Sequence, residues 1–425
     1  SVVLFTHKAD PPDFESNGGG LVATDGQAET PPDRPPDVTQ KFQPTEPQID
    51  TPAAIISINE SKFQIAQSVS APTAFTNVSN IPSSMSSRVG GAARTSAMTR
   101  NGGTKESEEA VVRGLRWLAK NQAPDGSWGA ANKGAMTGFG LLSFLGHGET
   151  PASTEFGPTV RKAVEWILQN GAKFEGRLSM GKAFNQPGVY EHAIATYALG
   201  EYYTMTKDER VVDLFKKAVG YIVDGQSPDG GWVYGYTKEG DGDTSVTGWQ
   251  IQALKAAHLT GLNIEGVDQA LDKSMLDLQR VQGPKGGFGY RGPQDKYSLT
   301  GVGVLCTYFW KQTKNESVRN GIEYMMKETE TRHPVQYQGE TADLYAWYYN
   351  TQACLMVGGA AWTKWNSLFQ TEITKAQDTD GSWPPMTAKS LGELQSGPTG
   401  NGPLYRTNLC ILMLEVFYRY MPSTK

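Results

Sequence analysis

Gln122-Ala123-Pro124-Asp125-Gly126-Ser127-Trp128 returns three times along the chain, as Gln226 to Trp232, Gln282 to Phe288 and Gln377 to Trp383. Each copy has Gln, three residues, Gly, one residue and an aromatic. Four matches at that spacing are not chance, and an internal repeat decides the architecture before any single element is assigned. Outward from the copies the pattern continues. An aromatic stands five residues before the Gln in Trp117 and Tyr221, and Trp166 and Tyr324 keep the same mark where the Gln is lost. From Glu106 onward the chain therefore reads as six units, each an amphipathic helix, a glycine-rich loop and a second, more apolar helix. A unit of about fifty residues suits two helices of four turns with their connections.

The first helices are predicted over about 105–121, 158–170, 207–224, 264–281, 315–329 and 361–376. The second are predicted over about 135–146, 189–205, 245–260, 297–312, 341–358 and 404–420. The first set carries an apolar stripe opposite a charged face, as in Val111, Val112, Leu115 and Leu118 against Glu108, Arg113, Arg116 and Lys120. That is the pattern of an outer wall. The second set is apolar or aromatic nearly all round, as in Leu299 to Trp310, and must be buried on most sides. Six of each predict an all-α fold, an (α/α)6 double-barrel toroid. Its central cavity should open at a mouth lined by the N-terminal ends of the inner helices.

The repeated motif resembles the QW repeat of triterpene cyclases and protein prenyltransferase subunits, and the resemblance covers about residues 105 to 425. Its residue types have structural reasons. Gly gives the turn a positive φ, the aromatic ring covers a helix end, and the Gln amide can satisfy orphan helix-terminal groups. Gln122, Trp128, Gln226, Trp232, Gln282, Phe288, Gln377 and Trp383 are accordingly expected to be scaffold. Further phrases, Tyr190 to Tyr197, Asp243 to Gln250 and Tyr348 to Gln352, resemble a bacterial branch of the family often met in planctomycetes. That resemblance implies an N-terminal membrane anchor, a proline-rich arm and a C-terminal toroid, hence a periplasmic place in the cell envelope.

Residues 1–105 read as that arm and 106–425 as the toroid. The arm holds Pro11, Pro12, Pro31, Pro32, Pro35 and Pro36, the run Gly18-Gly19-Gly20 and a Ser-rich stretch around Ser83 to Ser87, while all ten Trp lie between Trp117 and Trp383. Such a composition rarely packs a core. Ala53 to Ile58 and Phe63 to Ala66 alternate enough to become strands against a partner or the toroid. No run of eighteen apolar residues spans a membrane, and Val2-Val3-Leu4-Phe5 is read as the tail of a preceding signal or anchor. The formal charge of -5 and the lack of a basic run point away from nucleic acid. Cys306, Cys354 and Cys410 sit in apolar helical stretches without metal-site spacing and are read as buried free thiols. No metal and no cofactor is expected.

The family's chemistry is testable on the residues. A triterpene cyclase protonates an alkene or epoxide with the central Asp of an Asp-x-Asp-Asp-Thr motif. The nearest stretch, Gly240-Asp241-Gly242-Asp243-Thr244, puts Gly240 and Gly242 where the first acid and the proton donor would stand. A helix N-cap is the plainer role for Asp243. A prenyltransferase β subunit holds catalytic zinc with an Asp two residues before a Cys, and here those positions are Val304, Gln352 and Asn408. Polar and aromatic residues at the predicted starts of inner helices remain, and they should converge on the mouth. They are Thr137, Glu191, His192, Asp243, Thr247, Thr300, Asp343, Tyr345, Tyr348, Tyr405 and Thr407. Trp249, Trp310 and Trp347 either line an apolar pocket or pack between helix layers.

Two functions stay open. One is a non-catalytic envelope protein whose toroid binds an apolar or isoprenoid ligand and whose arm meets a protein partner. The other is an isoprenoid-handling enzyme with a displaced acid, Asp243 or Asp343, or with His192.

Overall fold

A computed structural model describes residues 81–180, 184, 186–310, 316–387 and 401–420. The segments 53–58 and 63–66 and the start of the arm lie outside the described residues. The outer helices are α2 (Lys105–Lys120), α4 (Gly157–Lys173), α6 (Val212–Asp224), α8 (Val267–Val281), α10 (Glu316–Thr331) and α12 (Gly359–Lys375). Alternating with them run the inner helices α3 (Lys133–Gly146), α5 (Gln186–Thr206), α7 (Thr244–Leu259), α9 (Tyr297–Phe309), α11 (Leu344–Val357) and α13 (Gly402–Leu414). Among the described residues no strand forms, and the extended pairing is confined to isolated bridges around Gln282 and Phe288. The fold is the all-α toroid that the repeats predict.

The repeated motif explains how the units lock together. Gly126, Gly230, Gly286 and Gly381 have φ of 92°, 100°, 94° and 97°, and an added Cβ would fall within 2.5 Å of a backbone oxygen of a neighbouring outer helix. Both the backbone conformation and the space require glycine. The indole N–H of Trp128, Trp232 and Trp383 donates to Leu118, Ile222 and Ile373, at 2.8, 2.7 and 2.8 Å. Each acceptor lies in the last turn of the preceding outer helix, where carbonyls lack an intrahelical partner. The Gln amide has a different task from the one expected. Its Nε2 donates to the loop Gly carbonyl and to a carbonyl of the neighbouring outer helix, as Gln122 does to Gly126 and Thr159, both at 3.0 Å. Thus the aromatic satisfies the orphan carbonyl and the Gln staples one repeat to its neighbour.

The same staple closes the ring. Gln377 donates to Ala110 on α2 at 2.8 Å, so the last motif binds the first outer helix. Ser143 on α3 donates to Asn408 on α13 at 2.9 Å and joins the inner layer across the same seam.

The toroid also takes up the end of the arm. Residues expected there form a 3-10 turn, Ser83–Arg88, and helix α1 (Gly91–Asn101), both packed on the short terminal helix α14 (Val416–Arg419). Ser87 Oγ donates to Tyr418 O at 2.7 Å and Asn101 Nδ2 to Phe417 O at 2.6 Å. Residues 83–88 and 91–101, read as part of the arm, are thus helical and held by the chain's C-terminal stretch. Two helix limits also differ from expectation. Asp208 caps a 3-10 turn, Glu209–Val211, so α6 begins at Val212. The stretch 404–420 divides at Glu415 into α13 and α14.

Candidate functional site

The N-terminal ends of the inner helices gather the residues that the sequence marks, but most have structural work there. Asp243 is the N-cap of α7: its Oδ1 accepts from Ser245 N at 2.9 Å, Ser245 Oγ at 2.6 Å and Val246 N at 3.3 Å. Asp343 caps α11 by accepting from Ala346 N at 2.9 Å. Such caps satisfy first-turn N–H groups. Thr247 and Thr300 also have structural partners. They are buried and accept from the backbone N–H of Trp232 and Phe288, at 3.0 and 3.1 Å. Thr137 and Thr407 do the same for Trp128 and Trp383, at 3.2 and 3.4 Å.

His192 fills the role of a motif residue in the second unit, where the Gln is lost. Its Nδ1 accepts from Leu178 N at 3.0 Å and its Nε2 donates to Ala218 O on α6 at 2.8 Å. Burial pushes its pKa down to about 4, and the neutral ring staples loop to helix. Both ring nitrogens are thus hydrogen-bonded within the protein. Glu191 reaches back to α3, accepting from Gly134 N at 3.0 Å and from Asn132 Nδ2 at 3.3 Å. Burial raises its carboxyl to about 7, against the opposing pull of those hydrogen bonds.

The aromatics expected to line a cavity instead fill the middle of the ring. Trp249, Tyr345, Tyr348 and Tyr405 are all buried. Trp249 on α7 stacks on Tyr348 of α11 at 5.8 Å and meets Phe139 of α3 edge-on at 5.3 Å. Phe139 in turn meets Tyr405 of α13 at 5.9 Å. Helices α3, α7 and α11 are alternate members of the inner ring, so their rings meet across its centre. Edge and offset contacts of this kind stabilise the packing beyond area burial.

A pocket of about 300 Å³ opens at the opposite end, among the C-terminal ends of the inner helices. Helix α5 turns Tyr197, Glu201 and Thr204 towards it, and α7 turns Gln252, Lys255, Ala256 and Leu259, each at helical spacing. Tyr308, Phe309 and Met356 complete the wall from α9 and α11, with Arg419 and Tyr420 from the chain end. The captured end of the arm contributes Met85 and Arg88. Leu259 is 46% exposed on the wall, and Val357, beside the lining residue Met356, is 39% exposed. Exposed large apolar side chains are otherwise few.

Charge is concentrated in this pocket. Arg88 Nη1 lies 2.7 Å from Glu201 Oε2, and Arg419 Nη2 lies 3.4 Å from Glu201 Oε1. Burial alone would raise the Glu201 carboxyl, yet the two guanidiniums hold it down at about 2. Arg419 also donates to Tyr197 Oη at 3.2 Å, and its Cζ lies 5.8 Å from the centre of that ring. Lys255 Nζ donates to Phe309 O at 2.5 Å, and burial lowers its pKa. Sequence reasoning missed this set because it searched the N-terminal ends. The signal was present as Glu201, Lys255 and Arg419, single charges inside otherwise apolar inner-layer stretches. Arg88, in a serine-rich segment, carried no such mark.

Among the described residues no group of three or more His, Cys, Asp or Glu could hold a metal ion. No helix among them is long and apolar enough to cross a membrane.

Residues 75–242 match the model of the squalene-hopene cyclase C-terminal domain, so this stretch is similar to the QW-type terpenoid cyclase toroid. No curated protein matches the chain. Among solved structures it is similar to the GH76A α-1,6-mannanase of Salegentibacter. The TM-score is 0.54 at 11% identity, over 73% of this chain and 98% of that one. It is also similar to cellobiose 2-epimerase of Spirochaeta thermophila, with a TM-score of 0.55 at 13% identity over 78% and 98%. The type II terpene cyclase MstE of Scytonema gives a TM-score of 0.48 at 12% identity over 73% and 96%. At such identities the likeness is one of fold, and this fold hosts unrelated chemistries.

Proposed function

We propose that the protein is a non-catalytic binding protein of the bacterial cell envelope, whose toroid receives an apolar ligand at the C-terminal end of the inner ring. Its N-terminal segment would tie it to a protein assembly. The observation that carries the reading is the pocket itself: a concave site of about 300 Å³ with mainly apolar and aromatic walls and a few converging polar groups. That is the ordinary make-up of a small-molecule site. Exposed Leu259 offers an apolar rim for entry. The non-catalytic part rests on the acids and bases of the other end, since Asp243, Asp343 and His192 are engaged in capping and stapling hydrogen bonds. The envelope location rests on the phrases that resemble the planctomycete-type branch.

Organic extraction of the purified protein, with native mass spectrometry for stoichiometry, tests this. One apolar molecule per chain is expected, and Leu259→Trp, which obstructs the rim, should lower its occupancy. A preparation with nothing bound that also takes up no apolar probe would overturn the reading.

One observation favours an isoprenoid-handling enzyme instead. Asp243 is fully buried beside Tyr234 and Tyr290, whose hydroxyls bond to each other at 2.8 Å. Turnover of a polyprenyl substrate that disappears in Asp243→Asn would establish that function in place of the binding one.

A further inference from the structure

The pocket wall is apolar over most of its area but unbalanced in charge. Arg88, Arg419 and Lys255 line it, and Glu201 is the single carboxylate among them, leaving two positive charges in excess. Arg88 and Arg419 share that carboxylate. The other acid near Arg419, Glu415, does not line the pocket, and burial raises it well above the usual carboxylate range.

Arg419 is 1% exposed, and its Nε and Nη1 have no hydrogen-bond partner in the protein. Lys255 makes one bond, to a neutral carbonyl. Burying an ammonium or guanidinium is costly unless it is both paired and hydrogen-bonded. A neutral hydrocarbon would desolvate Lys255 further and leave the excess charge uncompensated. An anion in the pocket would offset that charge and accept a hydrogen bond from the Lys255 ammonium.

Building on the binding role proposed above, we infer that the ligand is an anionic amphiphile: a hydrocarbon chain ending in one carboxylate or phosphate. The chain lies against Leu259, Phe309 and Met356, and the head sits between Arg419 and Lys255. Two excess positive charges suit a small head of one or two negative charges. They disfavour a cationic one.

Isothermal titration of the full chain with decanoate, decyl phosphate and decanol separates the possibilities, because the three share a chain and differ in the head. Decanoate, decyl phosphate or both should bind at least about tenfold more tightly than decanol, and the tighter anion identifies the head. The preference should survive about 0.5 M salt, since buried pairs are screened much less than surface ones. Arg419→Met would strip Glu201 of a partner and endanger folding, so Lys255→Met carries the mutational test. It should reduce the ratio of decanoate to decanol affinity about tenfold. Decanol binding as tightly as both anions, or a ratio unchanged in Lys255→Met, would overturn the head-group inference and leave the apolar pocket standing. If none of the three binds, the pocket reading itself falls and this inference with it.

Discussion

At the scale of single residues, the motif aromatics join a buried ring to a hydrogen bond that closes a helix. Trp128 and Trp383 are both 0% exposed, and their indole N–H groups hold orphan carbonyls. Trp128→Ala or Trp383→Ala should therefore destabilise the protein by about 3–5 kcal/mol, seen as a lower midpoint in denaturant melts. Glu191 makes a second prediction, with a sign that follows from burial. Its folded pKa of about 7 lies above the ordinary 4.5, so the folded state binds more protons between those values. Its contribution must then fall as pH rises from about 4.5 to about 7. Glu191→Gln should cost less stability at pH 7.5 than at pH 5, measured by denaturant melts at both. The motif's Gln and aromatic residues were legible in the sequence as scaffold, although their partners were exchanged. The Thr that accepts from each aromatic's backbone N–H was not legible as part of the motif, because it follows 9, 15, 12 and 24 residues later. A contact made through a loop of variable length leaves no fixed spacing to read.

Elements were legible wherever an apolar face imposes a period, which is why all twelve barrel helices can be read from the chain. The turn Ser83–Arg88 and helix α1 were not, because charge rather than an apolar stripe holds them. Only Arg94, Ala97 and Met98 of α1 are buried. Arg94 lies 3.2 Å from Glu108 and 2.7 Å from His147 Nε2, while Arg88 reaches Glu201. One carboxylate on α5 thus joins the arm's end to the chain's end. Glu201→Ala would leave the Arg88 and Arg419 guanidiniums buried without their counter-ion, and should cost about 3–5 kcal/mol. The pH dependence has the opposite sign from that of Glu191. Glu201 and Glu108 are held at about 2, so their contribution is present above about 4.5 and is lost as pH falls towards about 2. The acid limb of the stability curve should accordingly be shallower in Glu201→Ala than in the parent protein.

For the whole molecule, the ring closes twice: once through the motif of the last repeat, and once through residues 83–101 laid over the chain's end. Gln377 bound to Ala110 makes the toroid continuous without any help from the arm. Yet Arg88 supplies Glu201 with its shorter ion pair, and Asn101 O accepts from Trp362 Nε1 at 3.0 Å on the last outer helix. The segment from 83 to 101 therefore packs as part of the toroid's structure. A deletion series tests this. Removing residues 1–80 takes away a stretch with little apolar surface to bury, and thermal melts should keep their midpoint. Removing residues 1–101 takes Arg88 and Arg94 from Glu201 and Glu108, and it opens the pocket wall that Met85 and Arg88 form. The loss should be about 3–5 kcal/mol for the broken Arg88–Glu201 pair, Glu201 keeping only its longer pair with Arg419, with acid sensitivity shifted upward because neither carboxylate is then held as low. Limited proteolysis gives the same information on the intact chain: a stable core should begin close to Ser83. Equal melting midpoints for the two deletions, or a stable core beginning beyond Lys105, would return residues 83–101 to the arm.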